Sequence, residues 1–417
     1  MNAHSQHCIV IGAGTVGTSC AWHLRRAGFA VTLVDPELPG QSTSFGNCGC
    51  ISPNQIIPFS YPGVTRELPA WLFDRLGPLV IRWQHLPTLA PWFWRFWRAS
   101  NWDNVHHIAE SQTHLMRQII EDFAEITDAT GTRDLIQEKG MINVYDTVDE
   151  FKSAQWKYEL MTRHDFEWEI IGPDELRIMV PELRLEKGMA LYYPQWWHTV
   201  NPGLLTGRIA ESAFADGVEW LQDKVSRVNP GPVGVTVSTE SGRELEADQL
   251  VVAAGAWSNR IAKQMEGRTV PMTAKRGYHL HFTDPGIELE YPVTSSTRFF
   301  VITPMHDGVR IAGTAEFASL DAEPDYRRAR VLKEHGKHYL PNLQVEEASE
   351  WMGRRPMMAD SLPVMGRSPR HERVLYAFGH GHTGLTQAPG TARLVTDLLF
   401  EEQSDIDRAP FSPDRFF

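Results

Sequence analysis

The stretch CIVIGAGTVGTSCAWHLRRAGFAVTLVD, residues 8–35, constrains the chain more than any other. An apolar strand, Cys8 to Ile11, runs into Gly12-x-Gly14-x-x-Gly17, then an amphipathic helix, then a second strand, Ala30 to Val34, that ends in Asp35. Each part has a task in binding a dinucleotide. Gly12 makes the tight turn, Gly14 lets the backbone approach a pyrophosphate, and Gly17 lets the helix pack on the strand. The start of the helix, with Thr15 and Val16, faces phosphate, and Asp35 suits a ribose hydroxyl. Three glycines alone are a weak signal. Strand, helix, strand and acid in register predict a Rossmann-like α/β domain.

Two later segments are expected to return to the same sheet. ELEADQLVVAAGAWS (244–258) is an apolar strand that runs out into small residues, with Ala254, Gly255 and Trp257 placed to lie against a bound cofactor. RVLYAFGHGHTGLTQ (373–387) gives a strand from Val374 to Phe378, a glycine- and histidine-rich loop, and a helix from about Leu385. That helix start carries partial positive charge and favours an anion. With 52 acidic against 40 basic residues and a net charge of −12, the chain lacks the basic footprint of a nucleic-acid binder. Small molecules or proteins are the expected partners. Four cysteines, Cys8, Cys20, Cys48 and Cys50, are too few for a disulfide framework. The N-terminus runs straight into a strand without the pattern of a signal peptide, so a cytoplasmic location is expected.

The segment SFGNCGC (44–50) sets two thiols one residue apart in a glycine-rich loop. A zinc site would need a second pair of ligands, and none follows, so no metal is expected. A disulfide between Cys48 and Cys50 would close a very tight ring. The remaining reading is the floor of a cofactor site.

Taken together, the segments resemble the FAD-dependent D-amino-acid oxidase superfamily, and within it the bacterial D-amino-acid dehydrogenases. TSFGNCGCISP is similar to the family's Thr-Ser-Phe-x-Asn-x-Gly-x-Ile-Ser-Pro loop, VPMTAKRGYHLHF to its Pro-x-Lys-Gly-Tyr segment, and RIAGTAEF to its Gly-x-x-Glu strand. WMGRRPMMADSLPVMGR resembles its Gly-x-Arg-Pro and Asp-x-x-Pro-x-x-Gly stretch, and GHGHTGLT its flavin-capping loop. The resemblance implies FAD as cofactor. Its expected contacts are Thr43, Ser44, Asn47, Cys48, Gly49 and Ile51 in the first loop and Val225 beside the adenine. Gly381, His382, Thr383, Gly384, Leu385 and Thr386 would cap the flavin. Cys48 and Cys50 stand where the family has residues such as Ala and Gln.

The implied activity is oxidative deamination of a D-amino acid to a 2-oxo acid and ammonia, by hydride transfer from Cα to flavin N5. No obligatory acid–base residue is then expected; the chief requirement is a clamp on the substrate carboxylate. Arg355, at the Gly-x-Arg-Pro position, is the expected clamp, with Arg354 its competitor. Tyr278 would add a hydroxyl or line the pocket, and His382 would shape the flavin edge. Two alternatives stay open. One is oxidation of a secondary amine such as sarcosine, proline or hydroxyproline, although no cysteine follows Cys50 to attach flavin covalently. The other is an FAD-binding electron-transfer subunit of a complex.

The FAD-binding domain is expected to be discontinuous, from residues 1–90, 200–270 and 350–417. An α+β substrate domain built on a mixed sheet would take residues 91–199 and 271–349. Residues 71–102 hold six of the 14 tryptophans, interleaved with Arg82, Arg95 and Arg98. No run there reaches the roughly 20 apolar residues of a spanning helix. These rings either pack as a lid or core, or make an interfacial surface through which the chain sits peripherally on the inner membrane and passes electrons to a membrane quinone.

Overall fold

The computed structural model describes residues 6–66, 71, 74 and 77–417. Two large sheets organise it. The first has six strands in the order Glu219–Gln222, Ala30–Asp35, His7–Ile11, Gln249–Val252, Val374–Phe378 and Val364–Arg367; all pair in parallel except the last. The central strands are buried on both faces, which is why they read as continuous apolar runs rather than alternating ones. Helices Thr15–Arg26 and Gly384–Phe400 pack on one face, and their first turns reach the same end of the sheet.

The tight turn at Gly12 and the helix packing at Gly17 both depend on the missing side chain. Gly12 has φ +109°, and a Cβ there would lie 2.5 Å from the Ala253 carbonyl oxygen. A Cβ on Gly17 would lie 1.8 Å from the Gly12 carbonyl oxygen, so the helix could not sit so close on the strand.

The second sheet is mixed, as expected, and centres on three antiparallel strands, Met272–Phe282, Gly308–Phe317 and Ser349–Met358. Two assignments shift here. Ser349–Met358 pairs along its whole length with Met272–His281, and Leu79–Ile81 pairs with Ala315–Phe317, so both lie in this sheet, whereas residues 79–81 and 350–358 were expected with the first. Conversely, the helical stretch expected in the substrate domain forms two helices, Trp102–Met116 and Ile119–Ala129. Their apolar stripe of Ile108, Leu115, Ile119, Phe123 and Ile126 packs in the same core as the two helices on the first sheet. Burying that stripe, at about 25 cal/mol per Å² of apolar surface, decides which sheet these helices cover.

Candidate active site

A cavity of about 960 Å³ runs from the ends of the first sheet's strands to the face of the second sheet. At the first end lie Gly12, Gly14, Thr15 and Val16, the start of a helix that has no side-chain cap on its N-terminal residue Gly14. Such an end turns amides toward an anion, that of Thr15 being already held by Ser44. Asp35 lines the wall beside them; its carboxylate accepts from the Ala13 amide at 2.7 Å and the Glu37 amide at 2.9 Å. Val225, Ala254, Gly255 and Trp257 complete this end.

The loop 42–50 crosses the middle. Thr43, Ser44, Asn47 and Cys48 line the cavity, and Ser44 Oγ accepts from the Thr15 amide at 3.0 Å. The second sheet holds the loop in place: Arg310 donates to the carbonyls of Phe45 (3.2 Å) and Asn47 (2.5 Å), and His279 Nδ1 to that of Gly46 (3.0 Å). Gly49 and Ile51 lie behind the wall. Gly49 is turned at φ +79° against Thr199, and Ile51 is fully buried. Gly381, His382, Gly384 and Leu385 line the opposite side, at the start of a second helix without a side-chain cap. Thr383 and Thr386 serve that turn from behind. Thr383 Oγ donates to the His380 carbonyl, and Thr386 Oγ takes the Ser52 amide.

The far end is made by the second sheet, where strand alternation decides what faces the cavity. Arg355 and Lys275 are cross-strand partners, as are Gly353 and Gly277, and Trp351 and His279. The Arg355 guanidinium lies across Gly277, where a Cβ would fall 2.3 Å from its Cζ. It lines the cavity and makes no hydrogen bond or ion pair among the described residues. Its intermediate exposure is exposure to the cavity, and desolvation lowers its pKa.

Tyr278 is placed differently from expectation. It lies one step out of phase with Lys275 and Gly277, so its ring enters the opposite face. There its hydroxyl donates to Glu316 at 2.7 Å and accepts from the Asp325 amide at 3.0 Å. Buried Arg276 approaches Glu316 at 3.2 Å on that face, so Tyr278 belongs to a structural polar cluster outside the cavity. Arg354 borders the cavity too, but unlike its neighbour it is tied down: its Nε donates to the Leu320 carbonyl and its guanidinium lies 5.7 Å from the Trp257 ring.

The electrostatics of this end are one-sided. The carboxylates lining the cavity, Asp35, Glu37 and Asp223, belong to the first sheet's end, whereas Lys275 and Arg355 stand at the other without one. His382 presents its ring to the cavity, against Phe59 at 4.8 Å, with Nε2 3.4 Å from Gln55 Oε1. Enclosure, then Lys275 and Arg355, hold its pKa below the usual range, so the imidazole is neutral. Cys48 is pushed down to about 6 by the hydrogen bond from Cys50 and by Arg355 and Arg310, against burial; the same pairing pushes Cys50 up. Among the described residues no three metal-ligating side chains cluster.

Sequence reasoning passed over Lys275, Arg310 and Trp351. For Lys275 the signal was present: alternate positions of AKRGYH put Lys275, Gly277 and His279 on one face.

Comparison with known proteins gives the family. Residues 7–398 match the DAO family, described as FAD dependent oxidoreductase. A D-amino-acid oxidase of Bradyrhizobium diazoefficiens is 33% identical, covering 99% of each chain, and a D-amino acid dehydrogenase of Paramagnetospirillum magneticum is 31% identical, covering 98% of each. Among solved structures, glycine oxidase from Geobacillus kaustophilus superposes with a TM-score of 0.75 at 20% identity, covering 99% of this chain and 100% of that one. L-proline dehydrogenase from P. horikoshii superposes with the same score at 18% identity, covering 99% and 97%. These two share the fold.

Proposed function

The chain belongs to the DAO family of FAD dependent oxidoreductases, and on that premise we propose that it is a D-amino-acid dehydrogenase that passes electrons to a quinone-type acceptor at a membrane surface. The cavity fits the cofactor. Two uncapped helix starts and the open backbone at Gly12 and Gly14 suit a pyrophosphate, and Asp35 suits a ribose. FAD, when bound, supplies the acceptor for the hydride from Cα.

The chain's own part is to present the substrate. Arg355 carries the proposal: it is a guanidinium turned into the cavity with no carboxylate of its own, so a substrate carboxylate can take both of its parallel N–H donors. That contact fixes the orientation of Cα, and orientation is the main thing a flavin reaction asks of its protein. Phe59, Tyr61 and Trp92 wall the cavity with aromatic surface. Neutral His382 adds no positive charge that would compete with Arg355 for the carboxylate.

The D configuration is supported by the two relatives that share the family at 31–33% identity. The test is a panel of D- and L-amino acids, primary and secondary, scored by reduction of a dye with the purified protein. Several primary D-amino acids are expected to reduce it. Turnover of L-enantiomers alone, or of secondary amines alone, would replace the substrate assignment, and no turnover at all would leave an electron-transfer subunit.

A further inference from the structure

We propose that Lys275 accepts the proton that the substrate's ammonium must lose before Cα is oxidised. This rests on the amino-acid reading above, and it adds a base where the flavin chemistry by itself demands none.

Geometry comes first. Lys275 and Arg355 face each other across adjacent antiparallel strands, and both line the cavity. Directly opposed residues on one face have Cβ atoms roughly 5 Å apart. The amine of an α-amino acid is two bonds from its carboxylate carbon. A carboxylate held on Arg355 therefore brings its amine within reach of the neighbouring lysine arm.

The surroundings make that arm a base. The charged or titratable groups facing Lys275 are Arg355 from the adjacent strand and His382 from the loop before the last helix. The strand on its other side places uncharged Phe317 opposite it, and the ring of Phe59 lies 4.0 Å from Nζ. No carboxylate is among them. Burial, then Arg355, press the Lys275 ammonium down to about 7, so near neutral pH a large share of the side chain is an amine with a free lone pair.

The step balances without an external reagent. The N–H bond of the substrate ammonium breaks, Lys275 Nζ takes the proton, and the pair left on the substrate nitrogen is free to stabilise the iminium as hydride leaves Cα. The substrate becomes an anion just as Lys275 becomes a cation, and the face of Phe59 favours that cation.

Two measurements test this. The first needs no turnover: the rate at which an amine-selective reagent labels Lys275, followed by peptide mass spectrometry against pH. A midpoint near 7 is expected, with protection by a non-oxidisable carboxylate such as benzoate. A midpoint near the ordinary lysine value of about 10.4 overturns the proposal. The second is the pH profile of flavin reduction in rapid mixing, for the FAD-loaded wild type and the variants Lys275→Met and Lys275→Arg.

Both variants should lose roughly 10²- to 10⁴-fold at pH 7 and recover as pH rises toward the amine's own pKa. Arginine keeps the charge but cannot act as a base, so restoration by Lys275→Arg would show a second carboxylate anchor instead, and an unchanged profile in Lys275→Met would remove the residue from the reaction. Should the wild-type flavin be reduced by no amino acid, the functional reading fails. The labelling midpoint still decides the state of Lys275.

Discussion

Arg354 and Arg355 are adjacent in the chain and both border the cavity, Arg354 tied to the Leu320 carbonyl and Arg355 lying across Gly277, so a motif alone cannot tell them apart. Alternation can: Arg355 shares its face with Gly353 and Trp351, across from Lys275 and Gly277. Arg355→Met removes a contact made in ground and transition states and also frees the angle of Cα, so KM should rise and kcat fall. Losing one partner of a buried charged pair costs about 2–5 kcal/mol, which corresponds to a loss of roughly 30-fold to several thousand-fold in kcat/KM. Arg354→Met is expected to do far less, and steady-state kinetics of the two variants, with FAD content checked, decide the assignment. The same alternation was available in the sequence for Tyr278. The resemblance to a family motif outweighed it there, and the ring turned out to serve Glu316. For Cys48 and Cys50 the environment was not legible: nothing in SFGNCGC reveals that Arg310 and Arg355 come from strands more than 250 residues away. Their role as wall rather than reagent predicts that the double variant Cys48→Ala, Cys50→Ala keeps its yellow colour and turns over within about tenfold of wild type, a cost below roughly 1.4 kcal/mol. Complete loss of turnover with FAD still bound would make the thiols participants.

At the scale of elements, the helix Leu86–Ala99 shows how one segment answers two readings at once. Leu89, Trp92, Phe96 and Ala99, spaced three and four apart, are buried, and the Trp92 indole donates to the Met357 carbonyl. Trp92, Phe93 and Phe96 also line the cavity, so the inner side of this helix is part of its roof. The outer side is another matter. Trp94 is 54% exposed, Trp97 60% and nearby Trp83 79%, a density of bare aromatic surface that a water-facing helix has no use for. Between Asp74 and Asp103 the sequence has no acidic residue, on a chain of net charge −12, and Arg95 and Arg98 are exposed among the rings. No helix among the described residues is long and apolar enough to cross a membrane. An interfacial seat on anionic lipid is therefore the contact we propose. The protein should co-sediment with vesicles containing phosphatidylglycerol and not with pure phosphatidylcholine, and the triple variant Trp83→Ser, Trp94→Ser, Trp97→Ser should lose that binding while reducing a soluble dye normally. Equal binding by the variant, or none by the wild type, would assign the rings to another surface. Element boundaries elsewhere were less readable. Periodicity located the apolar stripe between Ile108 and Ile126, but not which of two sheets it covers, because that depends on partners distant in sequence.

For the whole molecule, two returns to the first sheet were legible because Gln249–Val252 and Val374–Phe378 each run out into small residues, whereas Glu219–Gln222 and Val364–Arg367 join it without such a mark. The exchange of segments between the sheets was not legible, since strand pairing between Ser349–Met358 and Met272–His281 leaves no local mark. Their joining has a consequence for stability. His279, which ties the loop 42–50 to the second sheet, is buried, as are His198 beside Cys50 and His380 before the last helix. Burial lowers all three: His198 to about 4, and His279 and His380 to about 3. An unfolded histidine takes up a proton near pH 6.5, whereas these do not while folded. Above pH 6.5 neither state is charged at these sites and nothing is lost. Below it the unfolded chain binds protons that the folded chain refuses, so stability falls as pH falls, by about 1.4 kcal/mol per pH unit for each group and roughly 4 for the three. Asp35 and Asp122, raised by burial, act in the opposite sense, but only at the lower pH where carboxylates begin to protonate. Between pH 6.5 and 5 the histidines therefore govern. Set against a typical stability of about 5–15 kcal/mol, that slope should bring the urea midpoint down steeply from pH 6.5 and abolish the fold near pH 4. Urea titrations at half-unit intervals test it, and His279→Gln, which can still donate toward Gly46, should flatten the slope by about one proton. A midpoint unchanged from pH 7 to 5 would mean that these histidines are protonated inside the folded chain.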